Sequence, residues 1–518
     1  MDIRTVIDRN WDLIIVLIGY TILTIIPITC FAHNTWGSDG ASYISIANYY
    51  AKGNWDDAIN GYWSPLYSWL IAPFLLSGFD PFQSVIIPRA LLLITGFFTI
   101  IGVNQLAKTF ELEGMVKTAL LVSTLPMILY FAVIYPTPDL LVTCILVFYF
   151  AVIFDCDYSN SMSHGFLSGF LGALAYFAKS FVFPFFVVHF LFSNIIYYFT
   201  GKNRKNILKN LLFGFVVFFI ISGLWIGTIS SKYGELTIST AKDYNHEIIG
   251  PEYQLQHPVY FLGLIKPPTE NAISVWEEPS ITQLDDWSPF ESWEYFEFQI
   301  KILEKNIFRS FAYIEKFSSL SIIIILVSLF LIFKTESKKA RIDLIKLLMT
   351  IFIYIGGYSL IFVEQRYLWP VSILLLLTGF YLVNYFYEHK NLRFRNILLI
   401  CLMFSFVVTP ILELTVYASS DHPIPELSAT LKNEYHIQGN IASNNNWGET
   451  VCISYYLESK YFGLTKNNSN SSTLNEELVS NNIDYYFLWG ADYNLNLSSY
   501  KEITGNKIKN LKIYSKLN

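Results

Sequence analysis

Charge is scarce in this chain of 518 residues: Asp, Glu, Lys and Arg make up only 15%, against 53% hydrophobic residues. That balance excludes an ordinary soluble globular domain, in which about a quarter of the residues are charged. Cysteine is scarce too, with five in all. Cys30, Cys144 and Cys401 lie in apolar runs, Cys156 in a short loop and Cys452 alone in the C-terminal region. None has metal-ligand spacing, so neither disulfides nor a cysteine metal site is expected. No P-loop or Rossmann glycine pattern occurs, which removes a nucleotide pocket from consideration, and nucleic acid is not an expected partner. The first apolar run has a modestly basic start and lacks a small-residue cleavage site, so it reads as a retained helix. Hydropathy shows no internal repeat and no paired broken helices, which weighs against a secondary transporter.

What is present is a succession of long apolar runs, the mark of a polytopic α-helical membrane protein. Eleven spans are predicted, at 11–31, 85–107, 115–134, 140–155, 165–178, 181–199, 207–229, 313–333, 344–363, 367–386 and 397–417. Those at 140–155 and 165–178 are short. Basic loops at 201–210, 334–341 and 388–395 fall on one side, which the positive-inside rule makes cytoplasmic, along with the N-terminus. The first loop (32–84), the long acidic loop (230–312) and the tail from about 420 then face outward. Only the acidic loop 155–164 runs against this orientation. The tail is polar and Asn-rich, with sequons at Asn467 and Asn470, and its alternating short strands and helices predict a small extracytoplasmic α/β domain over 420–518 after a membrane domain over 1–419.

The first loop is the most informative stretch. Asp39 follows the first span closely, YISIANYYAKG has the spacing of an interfacial helix, and WSPLYSWLIAP returns the chain to the bilayer through Trp and Tyr. Further charges fall on the same outer rim. Asp139 lies in YPTPDLL between spans three and four, and Lys179 in YFAKSFVFP between spans five and six. Glu364 and Arg366 lie in FVEQRYLWP between spans nine and ten, and Arg89 sits near the outer start of span two. Any one of these could be a solvated turn residue, and Glu364–Arg366 a plain ion pair. As a set, acids and cations at one membrane level mark a functional site. Transfer of a sugar from a lipid phosphate needs this combination: cations for the departing phosphate and a carboxylate for the acceptor hydroxyl.

These residues resemble the motifs of the GT-C superfamily of integral-membrane glycosyltransferases, in its aminoarabinose transferase and protein O-mannosyltransferase branch. SDGASYISIAN is similar to the family's first-loop motif, with Asp39 as its acid and Tyr43 in its aromatic helix. PTPDLLVT matches the second acidic motif at Asp139, LAYFAKSFVFP the apolar-Lys segment at Lys179, and VEQRYLWP the RYL-type turn at Arg366 with Glu364 beside it. Gly40 stands where many relatives carry a second acid, and Ser180 where Gly is usual. The resemblance implies a polyprenyl- or dolichyl-phosphate-linked donor, inversion, a site at the outer face, and an acceptor that is protein, lipid or glycan. It implies Asp39 and Asp139 as the catalytic acids, with Asp139 serving acceptor or metal. Lys179, Arg366 and Arg89 would hold the phosphate. A divalent metal remains open.

Two alternatives stand beside it. An oligosaccharyltransferase would share the fold type, but its WWDYG signature is absent, and the nearest string, NNNWGE at 444–449, does not match. A polyprenyl-lipid transporter or flippase would also want rim cations, without obvious need for Asp39 or a folded outer domain. His246 and His257 lack metalloprotease spacing and read as surface residues. WSPFESWEYFEF at 287–298 reads either as a sugar-packing segment or as an amphipathic interfacial helix.

Overall fold

The computed structural model describes residues 10–30, 37–201, 203–387, 392–420, 423–466, 470–490, 495–505 and 507–517. The start of the first loop at Ala32, the sequon at Asn467, and Lys202 and 388–391 of the basic loops fall outside them. The protein is a multi-pass membrane protein. Among the described residues, eight helices are long and apolar enough to cross a membrane, and nine if one bent pair forms a single span. The two short expected spans are the helices Asp139–Ile153 and Ser163–Ala178.

The bent pair corrects one expectation. The apolar run at 313–333 is not one straight helix: Trp293–Phe317 and Ser321–Lys334 meet at 109°. Ser318 is extended and breaks the helix, and the earlier arm alternates apolar residues with Glu294, Glu297, Lys301, Glu304 and Lys305. Such an arm suits a membrane surface better than a bilayer core. The amphipathic reading of WSPFESWEYFEF therefore holds from Trp293 onward.

The chain divides into two compact units, described separately here. The membrane unit comprises Met1–Phe31, Arg89–Ile238 and Ser288–Ser420. Within it, Ser163–Ala178 packs against Arg204–Tyr233 through glycines. A Cβ at Gly165 would stand 2.6 Å from Asn210 Cα, and one at Gly169 would collide with the Gly214 carbonyl. Small residues one turn apart let two membrane helices approach this closely. Gly169→Val should therefore destabilise the unit by about 1–3 kcal/mol. Thermal unfolding in detergent measures this; an unchanged midpoint would mean the helices are not so close.

The loop unit comprises Ala32–Pro88, Ser239–Trp287 and Asp421–Asn518. Its sheet has the order β2-β1-β3-β5-β4, with β1 (Asn440–Ser443), β2 (Lys460–Leu464), β3 (Tyr485–Trp489), β4 (Tyr500–Glu502) and β5 (Leu511–Lys516). β2, β1 and β3 run parallel, while β5 pairs antiparallel with β3 and β4. Helices Trp447–Tyr456 and Ser471–Ser480 connect the parallel strands, and Phe462, Leu474, Leu478, Tyr486 and Tyr514 fill the core. This is the small α/β fold expected of the tail. The free edge of β2 is covered by the long loop: Ile265 N–H donates to Phe462 O (2.7 Å) and Tyr461 N–H to Ile273 O (2.6 Å). Helix Gly37–Lys52, expected at the membrane interface, is packed inside this unit, with Gly40 to Ala47 all buried.

Candidate functional site

In the membrane unit, three chain reversals bring four of the expected residues together. Pro136 and Pro138 stop the preceding helix, and Asp139 opens Asp139–Ile153, where an acid is favoured by the helix dipole. Lys179 ends Ser163–Ala178 in extended conformation before the chain turns into Val182–Thr200. Glu364 is extended too and is followed by the single 3-10 turn Gln365–Leu368, which carries Arg366.

Asp139, only 4% exposed, is the centre of the cluster. Lys179 Nζ donates to its Oδ1, and Thr137 Oγ1 donates to Oδ2 at 2.7 Å. Arg366 Nε is 3.8 Å from the same Oδ2 and donates to Glu364 Oε2 at 2.7 Å. Aromatic faces complete the enclosure: the Lys179 ammonium lies 3.7 Å from the Tyr367 ring centre, and the Arg366 guanidinium 5.5 Å from that of Tyr135. The result is two largely enclosed cations held by one buried acid, with the more exposed Glu364 as a second partner of Arg366. Asp139, expected to serve acceptor or metal, has Lys179 on one carboxylate oxygen and Thr137 on the other. Among the described residues, the one group of three ligand atoms close enough for a metal is Asp155, Cys156 and Asp157, in a different loop.

Arg89 belongs to the same unit but to other helices. Its Nη2 donates to Tyr417 OH at 3.0 Å and to Val133 O at 3.5 Å.

Asp39 and Tyr43 lie in the loop unit. Trp276 Nε1 donates to Asp39 Oδ1 at 2.9 Å, and the Trp276 carbonyl is held by Ser42 Oγ (3.0 Å) and Trp63 Nε1 (2.9 Å). Tyr43 packs edge-on against Trp63 and Tyr67. Trp276 also meets His257 (5.2 Å) and Trp447 (5.2 Å), so Asp39 sits at the edge of an aromatic cluster that orients its carboxylate. His246 stacks on Trp287, and His257 contacts Tyr244. Sequence reasoning missed Trp276 and Trp447. Trp276 stands in a loop without periodicity, and Trp447 opens the helix Trp447–Tyr456, where the one signal was the NNNWGE string that contains it.

Behind Trp276, Glu277 is fully enclosed. It receives the Tyr49 hydroxyl and the Ile273 N–H (2.8 Å), and burial pushes its carboxyl up to about 7. The folded unit thus binds a proton that the unfolded chain releases near pH 4.5. Stability from this proton is full below about pH 4.5 and is lost as pH rises through about 7. Glu277→Gln should flatten that slope and raise the unfolding midpoint at pH 8. A slope retained in the variant would assign it to another group.

No protein-family model and no curated protein matches the sequence. Solved structures do match in fold. The archaeal oligosaccharyltransferase AglB from Archaeoglobus fulgidus, in complex with an inhibitory peptide and a dolichol-phosphate, aligns over 93% of this chain and 70% of its own, with 11% identity and a TM-score of 0.55. ArnT from Cupriavidus metallidurans, bound to undecaprenyl phosphate, aligns over 96% of this chain and 98% of its own, also at 11% identity, with a TM-score of 0.54. At such identity the likeness establishes the fold alone, one that this chain shares with AglB and ArnT.

Proposed function

We propose that this GT-C-fold protein transfers a sugar from a polyprenyl- or dolichyl-phosphate donor to an acceptor at the extracytoplasmic face, with inversion. The observation that carries the reading is the Asp139–Lys179–Arg366 cluster. Two cations preset by a buried acid, walled by aromatic rings at the ends of apolar helices, suit a phosphate that arrives on a lipid tail. The anomeric carbon–oxygen bond breaks and its electron pair leaves with the phosphate, whose growing charge Lys179 and Arg366 stabilise. Arg366 is released for this task by Glu364, which the phosphate replaces as its partner. The acceptor oxygen forms the new bond from the opposite face and gives its proton to a carboxylate, the role that the sequence resemblance implies for Asp39. Asp139 acts through the cations by positioning them.

The deciding experiment incubates the purified full-length protein with a polyprenyl-phosphate-linked sugar and a panel of protein, glycan and lipid acceptors. Release of polyprenyl phosphate coupled to acceptor glycosylation is expected. Saturable donor binding with no turnover on any acceptor would overturn the enzymatic reading in favour of lipid transport.

A further inference from the structure

We infer that Glu277 is a positioning residue for the reaction: carrying its proton, it fastens the stretch 271–277 to the helix Gly37–Lys52 and so keeps Trp276 against Asp39. The part given to Asp39 rests on the proposed function; the fastening rests on a count of protons. The Tyr49 hydroxyl lies against two oxygens of that stretch, the Asn271 carbonyl at 2.9 Å and Glu277 Oε2. A hydroxyl has one proton to give, and a carbonyl can only accept. Both contacts are hydrogen bonds at once only when Glu277 brings a proton of its own. The carboxyl then donates to the Tyr49 oxygen, and Tyr49 donates to Asn271. Glu277 Oε1 still accepts from the Ile273 N–H at 2.8 Å. The set is closed and carries no charge.

Loss of that proton undoes the arrangement. The Tyr49 hydroxyl turns to the carboxylate, the stronger acceptor, and the carbonyl of the exposed Asn271 turns to water. The carboxylate is left 4% exposed, with no Lys or Arg paired to it among the described residues. An enclosed charge without a counterion is driven towards solvent. Its titratable neighbours offer no relief. Asp57, on the helix Trp55–Ala58, adds repulsion, and the acid Glu278 follows in the chain. Burial holds the phenols of Tyr49 and of Tyr455, on the helix Trp447–Tyr456, in their protonated form. Trp276 directly precedes Glu277, and its Nε1 donates to Asp39 Oδ1 at 2.9 Å. The Trp276 carbonyl keeps Ser42 and Trp63, so the stretch loosens without leaving, and what is lost is the aim of the indole. Since burial pushes the Glu277 carboxyl up to about 7, the fastened form prevails below that pH and gives way above it.

Two readouts on the full-length protein at pH 6 and pH 8 test this: turnover of a polyprenyl-phosphate-linked sugar, and hydrogen exchange of peptides covering 271–277. Glu277→Gln is the reference, because Gln offers Tyr49 an amide N–H and Ile273 an oxygen, the hydrogen-bond pattern of the protonated acid. Dividing each wild-type value by that of Glu277→Gln at the same pH cancels every effect of pH that does not pass through Glu277. The protonated share of a group titrating near 7 falls about tenfold between the two conditions. Relative turnover should fall about tenfold with it, and relative exchange should rise by as much. Tyr49→Phe keeps the acid and removes the hydroxyl, so its relative turnover should be low at both pH values. A merely structural acid would leave relative turnover the same at both. Relative exchange that does not change with pH would overturn the fastening. Exchange that rises while relative turnover holds constant would overturn the positioning role and leave the proposed function standing. If no acceptor supports turnover at either pH, the proposed function falls and the positioning role with it, and the exchange alone decides the fastening.

Discussion

Asp139→Asn is expected to abolish sugar transfer and to lower the stability of the membrane unit by about 3–5 kcal/mol, the range for breaking a buried ion pair. The substitution keeps the shape of the side chain and one acceptor oxygen, enough for the Thr137 hydrogen bond, and removes the charge and the oxygen that accepts from Lys179. Lys179 and Arg366 are then left facing each other in a water-poor site with Glu364 as their remaining counterion. The two cations either separate or shed charge, and in both cases the phosphate loses its preset partners. Lys179→Met makes the complementary test. It leaves Asp139 the Arg366 guanidinium and Thr137, so folding should suffer less than donor use, with a loss of roughly 10²–10³-fold in turnover, as for removal of a single preorganised donor. Donor affinity and thermal unfolding, measured together on both variants, separate the effects. Normal turnover in Lys179→Met would remove the phosphate-site assignment.

Asp39→Asn should leave folding intact and reduce turnover by roughly 10²–10⁴-fold, the contribution of one positioned general base. The reasoning is again one of minimal change. Trp276 donates to Oδ1, and the amide oxygen of Asn accepts that bond equally well. What Asn cannot do is take the acceptor's proton. Trp276→Phe offers the reverse perturbation, keeping the carboxylate and removing the indole N–H that aims it; about a tenfold loss is expected, the size of one hydrogen bond to a charged group. Near wild-type turnover in Asp39→Asn would show that the acid has no part in the chemistry.

Much of this was legible before any coordinates. Spans show themselves as apolar runs because a bilayer core imposes hydrophobicity residue by residue. The short turns that carry Asp139, Lys179 and Arg366 were conspicuous as rare charges between such runs. Their pairing was not: 40 residues separate Lys179 from Asp139, and only the packing of their helices makes the bond. The bend at Ser318 was hidden because apolar character continues across it while the backbone does not. Trp276 was the hardest to foresee. Its partner Asp39 is 237 residues away, and the loop that holds it has no periodicity to read. Arg89 was visible as a rim charge, but its separation from the other cations depends on Tyr417, far along the chain.

The covering of the β2 edge by the long loop has a consequence for biogenesis. The loop unit is braided from three stretches, and its sheet cannot close until β2 is made, some 190 residues after the loop residues that flank it. Synthesis runs from N- to C-terminus, so the stretches 37–88 and 239–287 have only each other as partners, as Ser42 and Trp63 have Trp276, until the strands are made. A chain ending at Ser420 would keep the contacts of Ser42 and Trp63 with Trp276 and would leave the loop residues Ile265 and Ile273 without the strand they flank. A strand made late thus fixes a loop made long before it: Phe462 and Tyr461 hold Ile265 and Ile273 in place.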